Sequence, residues 1–285
     1  MKIENSNSTE NETVVGLNRR EFLEKVALMA GGAAAAGAVL PLFGKDGMFA
    51  QVVAKDDSRL VAENITYPAE TGDMKAYFAR PKRSGKFPGI IVIHENRGLN
   101  PHTEDVARRF ALEGYLAVAP DALSPFGGTP ANPDDARPLF QKLDGPANIK
   151  NFTAAVRYLK THPQSTGKVA CTGFCWGGGI TNQVAVNAPD LAAGIPFYGI
   201  QPALEDVPKI KAAMLLHYAG DDARINAGIA AYEEALRKAG VDFRTYTYEG
   251  AGHAFFNDTG TRFHKEAAQS AWERTLAFLK EKLIT

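Results

Sequence analysis

The sequence has 285 residues, 45% of them hydrophobic and 22% charged, with 32 basic side chains against 32 acidic ones. This is an ordinary globular composition, with material for one large core or two small ones. The charge is balanced and the basic residues do not gather into one stretch, so nothing argues for nucleic acid or an anionic membrane surface, and a small-molecule partner is expected.

The first fifty residues differ from the rest. A polar lead over 1–16 runs into Asn18-Arg19-Arg20-Glu21-Phe22-Leu23-Glu24-Lys25, then into an Ala/Gly-rich, weakly apolar segment over 26–40. Paired arginines followed by Phe-Leu resemble a twin-arginine export signal, which a receptor reads as an address for cargo folded before export. The apolar stretch is about 15 residues, whereas a spanning helix needs roughly 20. The expectation is a signal over 1–50, handled by the twin-arginine (Tat) export machinery and cleaved after Ala50 or Ala54, and a mature protein that is periplasmic or secreted.

After the signal, short apolar runs alternate with amphipathic ones, the pattern of a mostly parallel sheet with helices on both faces. Runs at 61–67 and 74–80, separated by Thr71-Gly72-Asp73, predict an antiparallel hairpin at one edge. Further strands are predicted at 89–94, 115–119, 168–174, 191–198, 213–218 and 243–248, about eight in all. Helices are predicted over 103–113, 134–143, 147–161, 178–187, 225–239 and 262–282. Gly114 and Gly240 stand where helix C-termini need a left-handed residue. The 121–133 connection carries Pro125, Gly127, Gly128, Pro130 and Pro133, and reads either as the flexible rim of a binding site or as a plain surface loop. No repeat or linker divides residues 55–285, so one domain is expected.

Two cysteines occur, Cys171 and Cys175. One lies within an apolar run and the other just past its end, a poor geometry for a disulfide between them. No Cys/His grouping has zinc spacing, and His94-Glu95 lacks a second histidine four residues on. No metal or organic cofactor is implied.

Gly173-Phe174-Cys175-Trp176-Gly177 closes a predicted strand and opens a predicted helix. It is Gly-x-nucleophile-x-Gly with cysteine at the centre. Such a turn is too tight for side chains two before and two after the nucleophile. It should leave the thiol exposed at a helix N-terminus, whose dipole favours thiolate. Candidate partners follow later strands in the order that a nucleophile, acid and base take in α/β-hydrolases: Gly220-Asp221-Asp222-Ala223-Arg224, then Gly252-His253-Ala254-Phe255. A histidine supplies a base that titrates near neutrality, and a carboxylate fixes its tautomer. One of Asp221 and Asp222 should be this acid and the other a helix cap or a solvated neighbour; Asp222 is preferred.

These motifs, over about 61–283, resemble the dienelactone hydrolase (carboxymethylenebutenolidase) family of α/β-hydrolases. The resemblance implies a hydrolase of esters or lactones with the triad Cys175, Asp222 and His253. It also implies that Glu95, in Ile93-His94-Glu95-Asn96-Arg97-Gly98, lies near the nucleophile and governs its ionisation, and that the backbone N–H groups of Asn96 and Trp176 form the oxyanion hole. Best-known members hold a substrate carboxylate with arginines, one of them a few residues after the catalytic histidine. That position reads Phe255-Phe256-Asn257 here. Arg97 is a candidate replacement, or else a surface or Glu-paired arginine. The rival readings are a carboxylesterase or thioesterase with another pocket, and a non-catalytic binding or thiol redox-sensing protein on the same scaffold.

Overall fold

The computed structural model describes residues 53–284. The twin-arginine-type segment lies outside the described residues. The hairpin comes first: β1 (Leu60–Ala69) and β2 (Gly72–Pro81) run antiparallel with Ala69 opposite Gly72. Gly72 has φ +108, a backbone state that side chains resist, so the turn closes at the expected glycine.

Six more strands follow: β3 (Phe87–Ile93), β4 (Leu116–Pro120), β5 (Ser165–Phe174), β6 (Ala193–Phe197), β7 (Ala213–Asp221) and β8 (Phe243–Gly252). Their order across the sheet is β1-β2-β4-β3-β5-β6-β7-β8. β2 meets β4 antiparallel, and the pairs from β4–β3 onward are parallel. Every residue of β3 and of β4 is buried, because helices cover both faces and neither can alternate apolar with polar.

The helices are α1 (Pro101–Leu112), α2 (Pro133–Phe140), α3 (Gly145–Thr161), α4 (Trp176–Asn187), α5 (Ala223–Asn226), α6 (Ile229–Lys238) and α7 (Lys265–Leu283). Phe152 and Leu159 of α3, Val184 of α4 and Tyr232 of α6 share one core with Ile91, Ile93, Cys171 and Leu216 of the sheet. α1 and α7 cover the opposite face, where Phe110 and Trp272 meet with ring centroids 4.6 Å apart. Gly114 and Gly240 have φ +95 and +68 just after α1 and α6, as their positions in the sequence imply.

The single helix expected over 225–239 is instead two, α5 and α6. Gln201, from the segment after β6, donates from Nε2 to Ile225 O at 3.1 Å and takes up a carbonyl that a continuing helix would use. A Cβ on Gly228 would lie 2.9 Å from Cδ of the same glutamine, whose end would have to shift to make room. Among the described residues no helix is long and apolar enough to cross a membrane.

Candidate active site

The sheet's C-terminal edge gathers the residues singled out in the sequence. Cys175 sits between β5 and α4 with φ 56 and ψ −113, and its N–H donates to Phe197 O of β6 at 3.0 Å. The flanking glycines are required, for two different reasons. A Cβ on Gly173 would lie 2.5 Å from the Gly177 carbonyl carbon, so this side of the turn would collide with itself. A Cβ on Gly177 would lie 2.5 Å from Ile93 O, so the other side is pressed against the end of β3.

The thiol is half-buried rather than exposed, and its ionisation runs opposite to the dipole argument. Burial raises the Cys175 thiol above its ordinary value and the Glu95 carboxylate adds to the rise, while the Trp176 N–H and the charges of Arg224 and Arg262 oppose them without prevailing. Desolvation of a thiolate outweighs what one helix terminus returns. Cys171 faces the interior with Sγ 3.7 Å from Thr181 Oγ1, pushed up to about 12, and both cysteines are free thiols.

His253 Nδ1 lies 2.5 Å from Asp222 Oδ2. The histidine is presented by a tight turn in which Phe255 N–H donates to Gly252 O at 3.1 Å and Ala254 takes φ +72. Asp222 is buried, whereas Asp221 ends β7 exposed. The cap and the histidine partner, expected of two different aspartates, are the same residue: Asp222 Oδ1 also faces Ile225 N at 3.4 Å at the start of α5.

Glu95 follows β3. Its Oε2 accepts from Asn257 Nδ2 at 3.1 Å, and its Oε1 is buried without a hydrogen-bond partner. Asn257, noted in the sequence only for not being arginine, is thus the direct neighbour of the glutamate. Arg97 points elsewhere: it is 61% exposed, with Nη1 3.8 Å from Asp134 Oδ1.

Three further features had no local signal. His94 is fully buried; its Nε2 accepts from Ala122 N at 3.1 Å, which puts the proton on Nδ1, and that nitrogen donates to Glu95 O at 2.6 Å. Burial keeps this imidazole neutral by lowering its pKa. The ring stacks on Trp176 at 5.5 Å and 10°, so the residue after Cys175 and the residue before Glu95 share one wall. The second feature is an ion cluster behind the histidine turn, where Asp258 Oδ1 receives His102 Nδ1 at 3.0 Å and Asp258 Oδ2 receives Arg109 Nη2 at 2.5 Å. The third is Tyr198, directly after β6, fully buried with its ring centroid 5.0 Å from that of His253.

The 121–133 connection is more ordered than its glycines and prolines suggested. Asp121 accepts from Leu123 N at 3.0 Å and from Thr129 N and Oγ1 at 2.6 and 2.7 Å. Thr129 Oγ1 in turn accepts from Leu99 N at 2.9 Å, fastening the loop to the segment that carries Glu95.

The sequence model of the dienelactone hydrolase family matches residues 74–283. The chain is 33% identical over 256 residues to a "putative carboxymethylenebutenolidase" of Saccharolobus solfataricus, covering 76% of this chain and 98% of that one. It is 32% identical over 247 residues to a protein of the same name from Escherichia coli K12, covering 81% and 90%. The crystal structure of a "putative dienelactone hydrolase" from Klebsiella pneumoniae superposes with a TM-score of 0.70 at 29% identity, over 78% of this chain and 99% of that one.

Proposed function

This chain belongs to the dienelactone hydrolase family and is a hydrolase with the α/β-hydrolase fold, and from that premise we propose that it cleaves ester or lactone bonds with Cys175 as nucleophile, His253 as base and Asp222 as the acid that orients it. The observation that carries the reading is the 2.5 Å contact of His253 Nδ1 with Asp222 Oδ2. With Nδ1 committed to the carboxylate, Nε2 is the nitrogen left to exchange a proton with the thiol.

The thiol waits in its protonated form, because burial and Glu95 hold the proton on it. As the substrate carbonyl arrives, His253 takes that proton and the sulfur attacks. Negative charge on the carbonyl oxygen is met by the backbone N–H groups of Trp176 and Asn96, each worth about 3 kcal/mol when lost. His253 then protonates the leaving oxygen, and water, activated by the same imidazole, releases the acid from the thioester. Glu95 tunes the thiol by its charge, and His94 fixes the glutamate's backbone. Arg97, exposed and near Asp134, fits the outer rim and would meet only a long or charged substrate.

The test is hydrolysis of p-nitrophenyl acetate and a lactone panel by wild type, Cys175→Ala and His253→Ala. Both variants should fall to near background; equal rates in all three proteins would point instead to a binding or thiol-sensing role. We also propose export through the twin-arginine route, supported by Arg19-Arg20 and the short apolar run behind them. Mass spectrometry of the periplasmic or secreted protein should find a start near residue 51 or 55, whereas an intact Met1 in a membrane fraction would overturn this.

A further inference from the structure

Among the described residues, the non-glycine positions with positive φ are Cys175, Tyr198 and Ala254. Such backbone states cost free energy and persist where surrounding structure imposes them. Cys175 carries the thiol and Ala254 turns the chain after His253, which leaves Tyr198 (φ 37) without a role.

Its position is well defined. β5 and β6 run parallel with Phe174 opposite Phe197, so Cys175 and Tyr198 follow those partners at the same level of the sheet. Tyr198 N–H donates to His217 O at 2.7 Å, which fixes its backbone. The ring lies beside His253 at 5.0 Å and packs against Phe197 and Phe255 at 6.2 and 5.3 Å. A phenylalanine would make all of those ring contacts. The hydroxyl is buried and its oxygen receives the backbone N–H of Phe256, but no acceptor reaches its proton. A buried donor left unsatisfied is costly, and native structures keep few of them. Glu95 Oε1, whose carboxylate charge acts on both Cys175 and this phenol, is also buried, and unpartnered.

Resting on the reading of Cys175 as nucleophile, we propose that Tyr198 is a further catalytic residue, whose hydroxyl donates a hydrogen bond to the leaving-group oxygen of the bound ester. The carbonyl oxygen is served by the two amides on the β3 and α4 side. Tyr198 stands on the His253 side, from which the leaving group receives its proton. In this step the S–C bond has formed and the C–O bond breaks, with its electron pair passing to the leaving oxygen. His253 gives that oxygen the proton it took from Cys175, and Tyr198 shares its own proton without releasing it. Burial, with the charge of Glu95, raises the phenol well above its ordinary value, so it remains a donor throughout the working range.

A hydrogen bond to the leaving oxygen matters most when that oxygen is strongly basic. The test is kcat/KM for p-nitrophenyl, phenyl and ethyl acetate with wild type, Tyr198→Phe, and protein carrying 3-fluorotyrosine at position 198. Tyr198→Phe should lose less than about threefold on p-nitrophenyl acetate and on the order of 10- to 100-fold on ethyl acetate. A purely structural role would lower all three alike, and an equal loss, or none, overturns the proposal. If Tyr198→Phe does not fold, the fluorinated protein decides: a more acidic donor should raise the ethyl-to-nitrophenyl rate ratio, and an unchanged ratio overturns the proposal. Cys175→Ala in the same series separates the two claims. Retained activity there sinks the nucleophile itself, while abolished activity with a flat Tyr198→Phe response sinks only this inference.

Discussion

Asp222 divides one carboxylate between two tasks, with Oδ2 2.5 Å from His253 Nδ1 and Oδ1 3.4 Å from the backbone N of Ile225. Asparagine caps helices about as well as aspartate but cannot offer His253 a charge. Asp222→Asn should therefore keep the unfolding temperature within a few degrees while lowering kcat on the order of 10²- to 10⁴-fold. Asp221→Asn, at an exposed position, should leave kcat within about twofold. Steady-state kinetics beside thermal melts decides it, and the reverse order would move the acid by one residue.

The raised Cys175 thiol gives a pH dependence with a definite sign. Alkylation by iodoacetamide needs thiolate, so its rate should be low at neutral pH and climb only above the ordinary thiol value of 9.0. Glu95→Gln removes a charge that raises the thiol, so the midpoint should move down. Arg224→Ala removes one that lowers it, so the midpoint should move up. Cys171, buried and pushed up to about 12, should not contribute, and peptide mapping of the alkylated protein would check that. A wild-type midpoint below neutrality would mean that the helix terminus outweighs burial.

Asn257, in the Phe255-Phe256-Asn257 stretch that follows His253, donates to Glu95 Oε2 at 3.1 Å. Asn257→Arg should place a charged donor there and lower KM for a lactone bearing a carboxylate by about tenfold, leaving a neutral aryl ester nearly unchanged. An equal effect on both substrates would show that residue 257 acts only through Glu95.

Asp258 ties the histidine turn to α1. Burial works against its charge, but the His102 hydrogen bond and the Arg109 guanidinium win, holding the carboxyl at about 2 against an ordinary 3.8. The depressed value means that its stabilisation is complete above the unfolded value and is lost as pH falls from 3.8 through about 2. Asp258→Asn should melt several degrees lower at neutral pH, with the gap to wild type closing across that acid window. A gap independent of pH would assign the loss to packing.

What could be read from the residues alone follows from how far each cause reaches along the chain. The elbow at Cys175 is legible because its two glycines stand at a fixed spacing around the nucleophile, although the backbone that Gly177 meets, at Ile93, is far along the chain. The central strands β3 and β4 are legible because burial on both faces makes them apolar throughout. Asp221 and Asp222 could not be separated with certainty, since adjacent residues before a helix carry the same local signal. The pairings of Asn257 with Glu95 and of His102 with Asp258 join residues far apart in sequence, and no periodicity announces them. Tyr198 read as the last residue of a strand, since only the folded backbone reveals its positive φ. The net direction of the thiol's ionisation is not legible, because a sequence shows the helix start, which lowers it, but not how much water the fold removes, which raises it.

Gly177 has one more consequence. With Ile93 O 2.5 Å from where its side chain would begin, the corner bearing the sulfur and the corner bearing Glu95 form a single joint, and nothing can be wedged between them without tilting both. Variation in substrate bulk is therefore expected to fall on the segments trailing β4 and β6, where Phe126 and Ile200 stand 40% and 53% in solvent. Substrate range can drift there while the reacting atoms keep their spacing.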